Sequence, residues 1–310
     1  MKITKLLLIA LFMTHHCHIS MAAVMNSHLG DSEVILSVTG EILTPIKPSD
    51  LSLNNLLKAR EALQQNPHDP DLNIWFGRRM AYTGDYYQAI KIFSEGIEKF
   101  PHDPRFYRHR GHRYISVRQF DHAIEDFIKA ATLMENLPNQ IEPDGLPNSQ
   151  NIPLTTTQGN VWYHLGLAYY LKQDWSNALN AFRNGYNLGG NDDNLVSTGH
   201  WIYMILRLMG NETEADIALN EIHTEMNIIE NMSYHQLCLL YKGEIKIDEM
   251  MIADGDSPSS AAVAYGLANY FYYNDDKSRS DKLLQSIIAG SSWSAFGFIA
   301  AEVDLANNDR

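Results

Sequence analysis

Apolar residues at helical spacing recur along most of this chain and predict a succession of amphipathic helices. In the first such stretch, 52–65, they share one face: Leu53, Leu56, Leu57, Ala59 and Leu63. Asn66 and Pro67 follow and predict the end of this helix, because proline cannot continue it. Later stretches with the same period predict further helices at 195–209, 236–247, 261–273, 281–288 and 293–305.

Residues 24–50 lack this period and read as an extended N-terminal segment. The apolar runs at 33–38 and 41–46 favour short strands or an extended lead-in. Pro45 and Pro48 disfavour a helix there.

A four-residue sequence occurs twice and marks a repeat. Pro-His-Asp-Pro stands at 67–70 and again 34 residues later at 101–104. In each copy the aspartate can cap the following helix by accepting from its free backbone N–H groups. The second proline fits the first helical position, where no hydrogen bond is lost. Each copy therefore predicts the end of one structural unit and the start of the next.

The best-formed unit lies between residues 162 and 182. Trp162, Leu165, Gly166 and Tyr169 fit the pattern W-x2-L-G-x2-Y, and Ala178 with Phe182 completes A-x3-F. In these residues the chain resembles the tetratricopeptide repeat family. The resemblance implies an all-α fold, a right-handed α-solenoid of helix pairs. It also implies a concave groove, lined by the first helix of each pair, that binds a protein or peptide segment.

Small residues recur at equivalent positions of the three repeats and predict close helix packing. They are Gly77, Ala89 and Gly96, then Gly111, Ala123 and Ala130, then Gly166, Ala178 and Gly185. Taken together, these signals divide the chain. A helix and repeats one and two occupy 51–134, an insert 135–158, repeat three 159–192, and degenerate helical pairs with a C-terminal cap 193–310.

The insert displaces repeat three by 21 residues from the 34-residue register. Its central part, 137–153, contains four prolines and the turn sequence Asp144-Gly145. Two interpretations stay open: an ordered functional loop, or a packing or mobile spacer. Leu146 and Ile152 could attach it to the solenoid.

Arginine is distributed unevenly and is concentrated in one short stretch of repeat two. Five of the 12 arginines in the chain lie between 105 and 118. The resemblance implies that the first helix of this repeat and its counterparts in the neighbouring repeats line the peptide-binding groove. The residues placed there are Arg78, Tyr82, Arg105, Arg108, His109, His112, Tyr163 and Tyr170. Arginine and backbone N–H groups would suit an acidic or carboxylate-bearing segment. The alternative is a structural role, with the arginines paired to Asp121, Glu125 and Asp126.

Composition and motifs argue against several classes of function. The net charge of −13 argues against a nucleic-acid partner, because phosphates would be repelled. His109 and His112 lack a third ligand at metal spacing, and no cofactor motif occurs. We therefore expect no enzyme, metal or cofactor, but a scaffold with a protein or peptide partner. The alternatives are a structural adaptor that uses outer faces or end helices and, less favoured, an enzyme site near His112 under 137–153. The oligomeric state is left open.

Residues 1–23 read as an export signal. Lys2 and Lys5 precede the apolar run 6–13, and small residues follow at 20–23. Eight apolar residues are too few to span a bilayer, so we expect a periplasmic or secreted protein without a membrane span. Lipid attachment at Cys17 is the alternative. Removal of this segment would leave one cysteine, Cys238, which lies in the apolar run 237–240 and is expected to be buried.

Overall fold

The structure is a computed structural model that describes residues 34–45, 47–250 and 257–307. This part of the chain contains thirteen α-helices and one two-stranded antiparallel sheet. The strands are β1 (Ile35–Leu36) and β2 (Ile42–Leu43). Helices of the first half are α1 (Asp50–Gln65), α2 (Pro70–Ala81), α3 (Tyr86–Lys99), α4 (Pro104–Ser116), α5 (Phe120–Met134), α6 (Thr157–Leu171) and α7 (Trp175–Asn187). Those of the second half are α8 (Asp192–Leu208), α9 (Glu212–Ala218), α10 (Met232–Tyr241), α11 (Pro258–Tyr272), α12 (Lys277–Ile288) and α13 (Phe296–Ala306), with a 3-10 turn at Ile247–Glu249.

The two Pro-His-Asp-Pro copies begin helices in the way the sequence predicts. Asp69 accepts hydrogen bonds from the backbone N–H groups of Asp71 and Leu72 at 2.8 and 3.1 Å, and Pro70 begins α2. Asp103 likewise accepts from the N–H of Arg105 at 3.0 Å at the start of α4. These caps satisfy backbone donors that the first turn of a helix leaves free.

The helices form a solenoid. From α1 to α9 each helix packs against the next along the chain. In addition, α2 contacts α4 and α4 contacts α6, so the first helices of the three repeats share one face. The predicted all-α solenoid of helix pairs is confirmed. We call the side formed by α2, α4 and α6 the inner face.

A glycine in the first helix of each repeat contacts a phenylalanine in the second. The three contacts, each between residues 16 positions apart, are Gly77 with Phe93, Gly111 with Phe127 and Gly166 with Phe182. A Cβ on Gly166 would lie 2.7 Å from the Phe182 ring. The predicted packing role of these glycines is confirmed, since only a bare backbone leaves space for the ring.

The C-terminal half differs from the prediction at several helix ends: α12 begins at Lys277 instead of 281, and α13 at Phe296 instead of 293. The stretch 236–247 was expected to be one helix, but α10 ends at Tyr241. Gly243 follows with φ +74°, a left-handed conformation that ends helices and suits glycine. Further along, α11, α12 and α13 pack on one another and complete the fold. The proposed signal, residues 1–23, lies outside the described residues.

Two glycines of repeat three allow a matched test of this packing. We expect Gly166→Ala to lower the free energy of unfolding by about 1–3 kcal/mol, because the Phe182 ring must shift. Gly185→Ala should be neutral or stabilising by up to about 1 kcal/mol. At that helical position a Cβ would meet its nearest atom at 3.4 Å, an ordinary contact. Urea unfolding of both variants measures the difference, and equal effects would contradict the packing role.

Candidate functional site

Two segments of the same chain cover the inner face. The insert between α5 and α6 crosses α2 and the N-terminal part of α4. The segment from Trp293 into α13 lies against α4 and α6. The predicted groove is therefore occupied by its own chain, and the contacts at each end show how.

The insert binds the inner face through a buried carboxylate. Glu142 Oε2 lies 3.0 Å from Arg108 Nε, and both side chains are buried. The Nε–H does not point along a hydrogen bond, so this ion pair is chiefly a charge contact. Asn160 Nδ2 also donates to Glu142 Oε2, at 3.1 Å. An acidic side chain of the insert thus neutralises an arginine of the predicted groove.

Backbone contacts hold the rest of the insert. Arg79 donates a hydrogen bond to the carbonyl oxygen of Gly145 at 3.0 Å. The Tyr82 hydroxyl packs so closely on Gly145 that a Cβ there would collide with it. Leu146 is 75% exposed and Ile152 43%, so the expected apolar attachment through these two residues is wrong. The insert is held by polar and backbone contacts.

The C-terminal segment is fixed by a second buried ion pair. Arg118, just after α4, makes a bidentate contact with Glu302 of α13, with distances of 2.9 Å to Oε2 and 2.8 Å to Oε1. The side chains are 6% and 4% exposed. Arg118 also donates to the Trp293 carbonyl oxygen at 2.8 Å. This pairing joins positions 184 residues apart in the chain.

Aromatic rings complete the C-terminal contact. Phe296 stacks on His112 with a centroid distance of 5.4 Å and meets the edge of His164 at 5.5 Å. Trp293 meets Tyr86 edge to face at 5.5 Å and donates from its indole N–H to the Thr44 carbonyl oxygen. The end of the chain therefore covers the part of the inner face that the insert leaves free.

A cavity of about 100 Å³ remains on the inner face. Its polar lining is Arg78, Arg108, Arg113, His109, His112 and Glu142, and Tyr82 contributes as well. The lining includes no serine, threonine, cysteine or lysine. Three guanidinium groups face one carboxylate here. The cavity suits recognition of an anion better than nucleophilic chemistry.

The histidines around this cavity are neutral at pH 7. Burial lowers the pKa of His109, His112 and His164 well below 6.5, and nearby arginines lower it further. Arg108 Nη1 lies 3.0 Å from His109 Nδ1. Since arginine only donates, Nδ1 accepts and the proton sits on Nε2. The histidines thus do not add to the positive charge of the arginines.

The other predicted groove residues, Arg105, Tyr163 and Tyr170, do not line this cavity. Arg105 pairs with Asp71 and Asp103, both at 2.6 Å, and so serves the start of α4. The hydroxyl of Tyr163 accepts from the Trp201 indole N–H at 2.9 Å. Tyr170 is buried and shares a 2.8 Å hydrogen bond with Tyr265. An open groove position for Tyr170 is wrong, because α8 and α11 cover it.

The alternative reading of the arginines, pairing with acidic neighbours, holds for one of the three named carboxylates. Arg110 makes a bidentate contact with Asp126, at 2.8 and 2.7 Å. Asp121 instead pairs with Lys172. Sequence reasoning did not identify Glu142, His164, Phe296 or Glu302 as inner-face residues. The acidic pair Glu142 and Asp144 within a proline-rich insert was the one available signal.

The remaining features to place are metal ligands, a membrane span and Cys238. Within 34–45, 47–250 and 257–307, no group of three or more His, Cys, Asp or Glu side chains could hold a metal ion. None of the helices described there has the length and apolar character to cross a membrane. Cys238 is buried and free, and burial raises the pKa of its thiol. Burial of this thiol agrees with its prediction as a core residue.

No family model matches the chain. Over 84 residues, 27% of the chain, it is 30% identical to tetratricopeptide repeat protein 16 of Mus musculus, and this stretch spans 11% of that protein. A tetratricopeptide repeat protein from Parabacteroides merdae is similar over 82% of this chain and 92% of its own, with a TM-score of 0.49 and 12% identity. YrrB, described as a TPR protein with an unusual peptide-binding site, is similar over 80% and 97%, with a TM-score of 0.42 and 15% identity. The tetratricopeptide-type fold of this chain therefore rests on its own helix pairs.

Breaking the buried ion pair should weaken the fold. Glu302→Gln leaves the Arg118 charge buried without a counter-charge. We therefore expect the free energy of unfolding to fall by about 3–5 kcal/mol. The control Glu214→Gln breaks the exposed pair of Arg183 and Glu214, and should change stability by less than about 1 kcal/mol. Urea unfolding compares the two, and a small loss in both would contradict the anchoring role of Glu302.

Acid should destabilise the protein through its neutral histidines. In the unfolded chain His112 takes up a proton below about pH 6.5, while in the fold its lowered pKa prevents this. The stabilising contribution of His112 is therefore complete above pH 6.5. Below that pH, each pH unit lowers the free energy of unfolding by about 1.4 kcal/mol until the folded-state pKa is reached. His112→Phe keeps the ring stack on Phe296 and removes the titration. Its stability should fall less than that of the parent protein between pH 7.5 and 5, whereas parallel curves would contradict a neutral His112.

Proposed function

We propose that this protein is a non-enzymatic, exported scaffold that binds an acidic segment of a partner protein on the inner face. One observation carries the proposal: Glu142 of the insert pairs with Arg108 of α4 in a buried contact. The inner face thus accommodates an extended, carboxylate-bearing segment within its own fold. A partner segment of the same chemistry would take the place of the insert.

The contacts of the insert describe the segment that would fit. Its carboxylate lies against Arg108, and the backbone carbonyl three residues later accepts from Arg79. A side chain beside Tyr82 would displace the Tyr82 hydroxyl, so a glycine is favoured there in the partner segment. The segment is therefore expected to be short, acidic and extended, with a glycine shortly after its carboxylate.

The insert is held in a way that suits displacement. Of its large apolar side chains Leu154 is buried, whereas Leu137, Ile141, Leu146 and Ile152 are exposed. A partner segment would replace the carboxylate contact of Glu142 with Arg108 by another, so the exchange leaves Arg108 paired. Loops held by few buried apolar contacts lie at the low-stability end of a structure. Binding would then require local release of the insert without unfolding of the solenoid.

Export is supported by the N-terminal sequence and by cysteine usage. Lys2, Lys5 and the apolar run 6–13 have the order of a signal peptide. In the described part of the chain the single cysteine, Cys238, is buried in the core. A fold stabilised by packing alone suits a chain with so few cysteines in an oxidising compartment.

An apolar outer surface favours the adaptor alternative. A cavity of about 440 Å³ lies between α5, α6 and α7. Its lining includes Ile128, Ala131, Trp162, Leu165 and Leu188, and Ile128 and Leu188 are exposed. Apolar surface of this kind serves protein contact. Charge reversal at Arg108 and Arg113 separates the two proposals, because only inner-face binding depends on these charges.

A shortened protein tests inner-face binding directly. Removal of residues 137–154 leaves four residues between α5 and α6, as 100–103 do between α3 and α4. We expect this variant to bind a synthetic peptide of residues 139–147, which contains Glu142 and Asp144, because Arg108 then lacks its counter-charge. Binding should weaken with salt. Isothermal titration calorimetry or fluorescence anisotropy measures the affinity.

Two controls make the result decisive. The same peptide with Glu142→Gln and Asp144→Asn should bind at least about tenfold more weakly, since charge-assisted contacts are lost. Intact protein should bind the acidic peptide less tightly than the shortened form, because its insert competes. A shortened variant with a native helical circular dichroism spectrum that ignores the acidic peptide, or binds both peptides equally, would refute the proposal.

A further inference from the structure

The cavity on the inner face holds more positive than negative charge. Arg78, Arg108 and Arg113 line it, and Glu142 is the single carboxylate among its lining residues. Asp144 lies near enough for Arg78 to act on its pKa, but its Oδ2 has no hydrogen-bond partner. Even with both carboxylates counted, three guanidinium groups exceed two acidic groups by one positive charge. The adjacent histidines are neutral, so they do not alter this balance.

Two of the three arginines lack a protein counter-ion. Glu142 pairs with Arg108. Arg78 is 8% exposed, and its guanidinium lies over the Trp75 ring at 4.4 Å from the centroid. Arg113 lies over the Tyr86 ring at 5.2 Å. Within the described part of the chain, neither Arg78 nor Arg113 forms a hydrogen bond or an ion pair through its side chain.

Such an arrangement is costly without a ligand. Arginine does not give up its proton in proteins, so burial does not neutralise it as it would a lysine. Arg78 is buried and Arg113 is partly buried, and a charge withdrawn from water requires a counter-charge and hydrogen-bond partners. The aromatic faces of Trp75 and Tyr86 stabilise the two cations only in part, because they supply no counter-charge. Uncommitted N–H donors beside a cavity therefore point to an anion.

We infer that this cavity binds one small oxyanion, a phosphate or a carboxylate, between the guanidinium groups of Arg78 and Arg113. Its volume of about 100 Å³ admits several water-sized groups, and so accommodates an ion of this size. Guanidinium groups match the paired oxygens of phosphate and carboxylate. The anion would lie beneath the insert and complete the neutralisation that Glu142 begins at Arg108.

This site differs from the proposed partner site in what it requires. The partner segment replaces the insert, whereas the anion binds with the insert in place. Anion binding can therefore be measured on the intact chain with no partner. Its failure would leave the peptide experiment with the shortened protein unaffected, and the reverse also holds.

The test titrates the intact protein with inorganic phosphate, acetate or chloride at constant ionic strength. We expect the unfolding midpoint to rise with phosphate or acetate, and to keep rising with the logarithm of its concentration above the Kd, as for a ligand that binds only the folded state. Isothermal titration calorimetry on the same protein measures the affinity directly. Phosphate stronger than acetate assigns a phosphate site, and the opposite order assigns a carboxylate site.

Matched variants separate a site from a general salt effect. Arg113→Met keeps the length of the side chain and should weaken binding about 10- to 100-fold, as expected for loss of one charge-assisted contact. In buffer free of oxyanions this variant should be at least as stable as the parent, because one unpaired cation is gone. Arg183→Met removes an exposed arginine far from the cavity lining and should leave the affinity unchanged. The inference is overturned if neither anion gives a saturable binding isotherm, or if Arg113→Met binds the anion as tightly as the parent.

Discussion

Charge neutralisation of arginines in and just after α4 is the constraint on which the rest of the inner face depends. Each of three buried or half-buried guanidinium groups meets a carboxylate from a different part of the chain. Arg110 meets Asp126 of the next helix, Arg108 meets Glu142 of the insert, and Arg118 meets Glu302 of α13. An unpaired buried charge costs several kcal/mol, so these contacts decide where the insert and the chain end lie.

Because of these ion pairs, the predicted groove is covered by segments of the same chain. In an open solenoid of helix pairs, the first helices would present their polar residues to solvent. Here the insert and α13 turn that face into an interior surface, and His112, His164 and Phe296 pack there as neutral aromatic rings. The same residues that a partner would contact thus serve stability when no partner is bound. Function on this face must compete with folding contacts.

Local signals predicted the scaffold well. The caps at Asp69 and Asp103 and the 16-residue spacing of Gly166 and Phe182 depend on residues close in sequence, so pattern and spacing reveal them. The closure of the inner face was not predictable in this way. Glu302 reaches Arg118 across 184 positions, and nothing in the residues around it indicates that partner. Tyr170 was misplaced for the same reason, because the helices that bury it come much later in the chain.

The charged cluster also explains why the arginine-rich helix had two readings. Pairing within the chain and binding of an acidic ligand use the same chemistry, and the contact of Glu142 with Arg108 is the intrachain form of it. Arg113 and Arg78 are the exception, because no carboxylate of the described residues pairs with them. They are the positions at which a structural explanation of the cluster ends and an anion is required.

Hydrogen–deuterium exchange of Glu142→Gln against the parent protein tests the central claim most directly. If the buried carboxylate holds the insert on α4, exchange should rise across residues 138–157. The N–H groups of Glu142 and Thr157 donate to the carbonyls of Thr155 and Gln140, and these hydrogen bonds would loosen. Exchange in the core of α5, α6 and α7 should stay unchanged. Unaltered exchange in the insert, or a uniform rise across all helices, would contradict the account.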